Sequence, residues 1–233
     1  MAVERALIVN ADDLGLSDAV NAGIVEAHRN GIVTSSSLMV RKPAAAEAAA
    51  ISRSHPSLAL GLHLDLGQWD YEEGEWRVAY EHCPPDDRGA VEAECRAQVE
   101  AFRTLLDRDP THLDSHQHAH DHEPAASVAE ALAAELGVPL RGRSVRYEGG
   151  FYGQSGRGEA FPGGITADRL VELIEGLPQG WTEIGCHPGL GVGGEESSYA
   201  AEREVEVGAL CDPAVREAIE RAGVRLRSFA EVG

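Results

Sequence analysis

Five of the chain's ten histidines fall within twelve residues, Thr111-His112-Leu113-Asp114-Ser115-His116-Gln117-His118-Ala119-His120-Asp121-His122. Rings at alternate positions share one face if the stretch continues as a strand, which is one way to converge nitrogen ligands. So many rings cannot all be buried and neutral without partners, and the ordinary alternative is a solvated, histidine-rich turn. Residues of the same chemistry stand at the ends of other apolar runs. Asp12 and Asp13 follow Leu7-Ile8-Val9-Asn10-Ala11, His63 lies between Leu62 and Leu64, and His187 follows the apolar Cys186. Taken singly, each has a plain reading: a turn, a core histidine, a strand-end cap. Taken together, Asp13, His63 and His116 supply one carboxylate and two imidazoles for a mononuclear hydrolytic site. The expected cofactor is one divalent metal ion, zinc first and magnesium among the alternatives, polarising a carbonyl and lowering the pKa of water. Asp12, adjacent but not a ligand, is placed to accept a proton, and His187 to donate one to a leaving nitrogen.

Positioning such a set requires several strand ends at one place. Strand patterns at residues 6–10, 34–40, 58–65, 111–115, 181–186 and 224–228 alternate with helical patterns at 17–30, 43–51, 91–106, 125–136, 166–177, 199–210 and 214–222. That alternation, without an internal repeat, predicts a parallel α/β architecture in one domain spanning 1–233. An open doubly wound sheet and a closed barrel both fit; a distorted TIM-like barrel is favoured because it gathers many strand ends at one mouth. Residues 69–87 read as an irregular acidic lid or insertion. Residues 149–164 read as a mobile, glycine-rich loop bearing aromatics. Gly189-Leu190-Gly191-Val192-Gly193-Gly194 has dinucleotide-like glycine spacing, but Pro188 and Glu195-Glu196 argue against a pyrophosphate cradle.

The formal net charge of −19 and pI near 4.8 disfavour nucleic acid and anionic lipid as partners. No run reaches the roughly 18 apolar residues of a transmembrane segment. The start carries no export pattern, so a cytoplasmic protein with reduced thiols is expected. Cys83, Cys95, Cys186 and Cys211 are too scattered for a zinc knuckle or redox pair.

Several segments, in order, resemble one family. Leu7-Ile8-Val9-Asn10-Ala11-Asp12-Asp13-Leu14-Gly15-Leu16, Gly31-Ile32-Val33-Thr34-Ser35, Gly61-Leu62-His63-Leu64, Pro110-Thr111-His112-Leu113-Asp114-Ser115-His116-Gln117-His118 and His187-Pro188-Gly189 look like the YdjC family. That family includes chitooligosaccharide deacetylases and the hopanoid-biosynthesis deacetylase HpnK. The resemblance implies a distorted TIM-like barrel and metal-dependent removal of an acetyl group from an N-acetylated sugar. It implies Asp13, His63 and His116 as ligands, Asp12 as base and His187 as acid. It matches His118 and His120 to further family histidines that contact substrate or support the ligands from behind. Asp65 or Asp114 is expected to orient a ligand ring, and Trp69, Tyr71, Trp76, Phe151 and Tyr152 to stack on a sugar. The outer helices of such a barrel can be solvated or paired, so a homodimer is compatible with it. Two other readings are kept open: a metal-dependent phosphoesterase or amidohydrolase, with two metals roughly 3.5–4 Å apart in the phosphatase case, and a non-catalytic carbohydrate-binding protein.

Overall fold

The computed structural model describes residues 4–193 and 198–233; Gly194, Glu195 and Glu196 of the glycine-rich segment lie outside them. Nine strands are described: β1 Arg5–Leu14, β2 Ser35–Leu38, β3 Ala59–Leu64, β4 Gly67–Glu72, β5 Glu75–Glu81, β6 Leu113–Ser115, β7 Arg146–Glu148, β8 Gly180–Cys186 and β9 Val224–Arg227. The α-helices are α1 Asp18–Arg29, α2 Ala45–Ser54, α3 Arg88–Leu106, α4 Ala125–Leu136, α5 Ala167–Glu175, α6 Ala200–Leu210 and α7 Pro213–Ala222. Seven strands form one parallel sheet in the order β6-β3-β2-β1-β8-β7, with β9 also pairing β1. The sheet curls into an open half-barrel flanked by helices, a distorted TIM-like barrel.

Helix boundaries follow local chemistry. Ser17 caps α1 by accepting from the Val20 amide, Asp87 caps α3, and Thr166 caps α5. Gly137 and Gly223 close α4 and α7 in the left-handed conformation.

The two faces of β1 divide the labour. Leu7, Val9 and Ala11 join the main apolar core, whereas Ile8 packs with Val145 and Phe229 inside the half-barrel. Strand alternation puts Asn10 and Asp12 on that inner face, above Ile8. Asp13 would then point the opposite way, but its φ of +65° turns the chain, and the β1–β2 register shifts between Ala11 and Leu14. Aspartate tolerates this conformation better than most residues. Both carboxylates therefore reach the same mouth.

The strand leading into the histidine run ends at Ser115, where its pattern ends; the chain then enters a 3-10 turn with Gln117 and His118 at positive φ, so the alternating rings part company. Two expectations change. Residues 69–87 are mostly ordered structure, because β4 and β5 form an antiparallel hairpin. Residues 146–148 supply an unexpected strand, too short to leave a periodic trace.

The loop carrying His187 lies directly on α1. The Leu190 amide donates to the Ala19 carbonyl at 2.9 Å, and a Cβ on Gly23 would stand 2.3 Å from Gly189 Cα. Alanine is the better helix former by roughly 1 kcal/mol, yet here it meets backbone that cannot rotate away. Gly23→Ala should be destabilised by about 1–3 kcal/mol in denaturant melts; unchanged stability would show that the loop does not rest on the helix.

Candidate metal centre and active site

Asp13, His63 and His116 come from β1, β3 and the turn after β6, and their donor atoms gather within 4.8 Å of one another. His63 Nε2 lies 3.4 Å and His116 Nδ1 3.3 Å from Asp13 Oδ1. Neither contact is aligned as a hydrogen bond, and Asp13 Oδ1 is buried without a hydrogen-bond partner. Three donors facing a common point, rather than one another, suit a cation. The carboxylate's other oxygen accepts from Arg203 Nη2 at 2.6 Å. Burial alone would raise the Asp13 pKa, but Arg203 and the two rings hold it well below the usual carboxylate range.

Asp114 stands behind His63, with Oδ1 2.8 Å from Nδ1, and fixes the ring so that Nε2 faces Asp13. Burial works against a proton on His63, yet Asp114, Asp13 and Asp12 raise its pKa well above the ordinary value. The same field would draw in a divalent ion. Asp12, His63 and Asp114 also lie close enough to hold a metal, but both carboxylates in that set are already engaged. Arg141 donates to both oxygens of Asp12, at 2.6 and 2.7 Å, and reaches Asp114 Oδ2 at 3.0 Å and Glu183 Oε1 at 2.7 Å. Asn10 Nδ2 bridges Asp12, Ser37 and Asp114. Against burial, Arg141 keeps Asp12 below the usual range, ionised and correctly turned.

His187 enters from the end of β8. Its Nε2 is 3.8 Å from Asp12 Oδ2, and its Nδ1 is 3.9 Å from Glu206 Oε1. Burial pushes the ring down to about 4, despite the neighbouring aspartates. Glu206, from α6, accepts the His187 backbone amide and the Tyr199 hydroxyl. Tyr152 stacks on Tyr199 and meets the His187 ring edge-on.

The remaining expected residues divide. His118 is half-buried and packs on Tyr147, while His120 is buried against Ser115; both lie beyond His116 in the chain. Trp69 is tied in by backbone, its N–H donating to Gln117 Oε1 at 3.0 Å and its carbonyl accepting from Gln117 Nε2 at 2.9 Å. Asp65 does not touch a ligand ring: it binds Lys42, Tyr80 and His82, anchoring the hairpin. Phe151 is 1% exposed and belongs to the core, so it cannot stack on a sugar; its neighbour Tyr152, 38% exposed, is the accessible ring. Arg141, Arg203, Glu183 and Glu206 escaped sequence reasoning. Glu183 within an apolar strand, and Arg203 with Glu206 on the buried face of α6, are charges where apolar residues belong, and that signal could have found them.

The model of YdjC-like proteins matches residues 6–221. The chain belongs to the YdjC-like family. It is 36% identical to a carbohydrate deacetylase of Geobacillus stearothermophilus, covering 97% of this chain and 98% of that protein. It is 35% identical to a chitooligosaccharide deacetylase of Klebsiella pneumoniae, covering 99% and 100%. A solved structure from Enterococcus faecalis V583, provisionally described as a cellobiose-phosphate cleavage protein, superposes with a TM-score of 0.80 at 27% identity, covering 97% and 98%.

Glu206 gives this YdjC-like protein a measurable pH signature. Burial lifts its carboxyl to about 7 from an ordinary 4.5, against the pull of the Tyr199 hydroxyl, the His187 amide and Arg203. Between those values the folded chain keeps a proton that the unfolded chain has lost. The associated stability is complete below about 4.5 and is lost as pH rises towards 7. Glu183, also lifted to about 7 by burial, acts in the same direction. Glu206→Gln should therefore flatten, without abolishing, the fall in stability over this window, by up to about 3 kcal/mol. Equal slopes in variant and parent would mean that Glu206 is already ionised in the fold.

Proposed function

We propose that this protein hydrolyses the acetamide of an N-acetylated amino sugar or its oligosaccharide, releasing acetate, with residues 1–233 acting as one domain. The observation that carries the reading is the pairing of a three-donor set, Asp13, His63 and His116, with Asp12 and His187 on its border. The names of the Geobacillus and Klebsiella relatives supply the substrate class.

A divalent ion held by Asp13, His63 and His116 would supply carbonyl polarisation and an activated water. Two imidazoles favour zinc over magnesium. Asp12 accepts the proton of the attacking water; Arg141 and Asn10 keep it ionised and aimed. His187 rests neutral, so it becomes an acid only after taking up a proton. The 3.8 Å gap to Asp12 Oδ2 is short enough for one bridging water or a small closure to pass it on. His187 then protonates the leaving nitrogen, with Glu206 fixing its backbone amide and Tyr199 packing against its ring. Tyr152 and the β4–β5 hairpin border the mouth and are assigned to the sugar. All four cysteines are free thiols, which suits the proposed cytoplasmic location.

Cleavage of a phosphorylated disaccharide, suggested by the Enterococcus description, fits less well. Arg141 and Arg203, the two buried arginines at the site, are already engaged by Asp12, Asp114 and Asp13, so neither is set aside to receive a phosphate.

Asp13→Asn should lose metal and activity together. Asp12→Asn should keep its metal while kcat falls by roughly 10²–10⁴, and His187→Ala should keep metal and be hurt least on substrates with an activated leaving amine. Acetate release from a panel of N-acetylated and phosphorylated sugars, with metal content measured on the same samples, tests all three. Wild-type turnover by the Asp12 variant removes it as the base, and cleavage of phosphorylated sugars with no acetate released from any N-acetylated one removes the deacetylase reading.

A further inference from the structure

His118, His120 and Asp121 place two ring nitrogens and a carboxylate oxygen within 4.8 Å of one another, apart from the ligand set already described. We propose that they form a second cation site, selective for late first-row divalent ions such as zinc, cobalt or nickel. His120 is 99% buried, by its 1% exposure, and its Nε2 has no hydrogen-bond partner. The opposite nitrogen, Nδ1, lies 2.6 Å from Ser115 Oγ, which also accepts the His120 backbone amide at 2.9 Å. With Nδ1–H donating to that hydroxyl, Nε2 carries a lone pair, the arrangement that a ligand ring needs.

The other donors sit across from it. Asp121 Oδ1 lies 4.0 Å from His120 Nε2, and Asp121 Oδ2 lies 4.0 Å from His118 Nδ1. Bonds of about 2.1 Å at a tetrahedral angle set donors about 3.4 Å apart, so rotamer adjustments at two half-exposed side chains suffice. Positive φ at Gln117 and His118 folds the chain back far enough to bring His118 and Asp121 together, and the His118 ring is steadied edge-on against Tyr147 at 5.1 Å. Two imidazoles with a single carboxylate favour zinc-like ions over magnesium or calcium, which prefer oxygen. Arg143 competes, with Nη1 3.2 Å from Asp121 Oδ1, but its Nε is also held by Glu130 at 2.8 Å. A cation must displace only the first contact, which makes this the weaker of the two sites.

The test is titration of metal-stripped full-length protein with zinc against a chromophoric chelator, with stoichiometry read by native mass spectrometry. Wild type should take up two ions per chain. His118→Ala and Asp121→Asn, changes at half-exposed positions whose folding circular dichroism checks, should each weaken the second ion by at least about tenfold while keeping the first. His63→Ala should do the reverse, which separates failure of this site from failure of the site assigned to catalysis. Saturation of wild type at one ion that His63→Ala removes, or a second ion bound equally by the His118 and Asp121 variants, overturns the proposal.

Discussion

Arg141 joins Asp12 on β1, Asp114 on β6 and Glu183 on β8, and all four side chains are buried. An open half-barrel leaves its inner face at risk of collapse or flooding, and this ion cluster fills it above Ile8, Val145 and Phe229. One guanidinium among three carboxylates is favourable only while every partner stays in place. Removing one side of such a buried pair costs about 3–5 kcal/mol. The arrangement therefore makes the orientation of Asp12, and through Asp114 that of His63, a condition of folding rather than a separate adjustment.

The second cationic anchor works on the other side of the mouth. Arg203 holds Asp13 and reaches the His187 carbonyl from the same helix that supplies Glu206. Helix α6 thus touches both the donor set and the group at its border. Both arginines face ionised oxygens directly, with short charge-assisted bonds, and neither side chain competes for the donor atoms left facing the common point.

Sequence pattern reached the parallel alternation, most element cores and the residues at strand ends, because buried parallel strands leave continuous apolar runs and polar residues at their ends stand out. The convergence of Asp12, Asp13, His63, His116 and His187 was legible for that reason. Arg141 was not: it lies in a connecting segment with no period, between Leu140 and Gly142, and only tertiary structure shows it buried. The histidine run left open whether its alternating rings share a face. The left-handed turn at Gln117 and His118, which spacing does not reveal, sends successive rings to different neighbours. Asp65 looked equivalent to Asp114 by its place near a strand end; one residue beyond β3, it turns to Tyr80 and Lys42 instead.

The clasp between Gln117 and Trp69 uses only main-chain atoms on the hairpin side. Such a clasp is blind to the side chain at position 69, provided that it is not proline, which has no N–H to offer. The rim of the mouth can therefore change its chemical character by substitution along β4 and β5 while its attachment to the turn bearing His116 persists. Change of side chains along the hairpin and preservation of the turn bearing His116 are, at this one contact, separable in the chain's evolution.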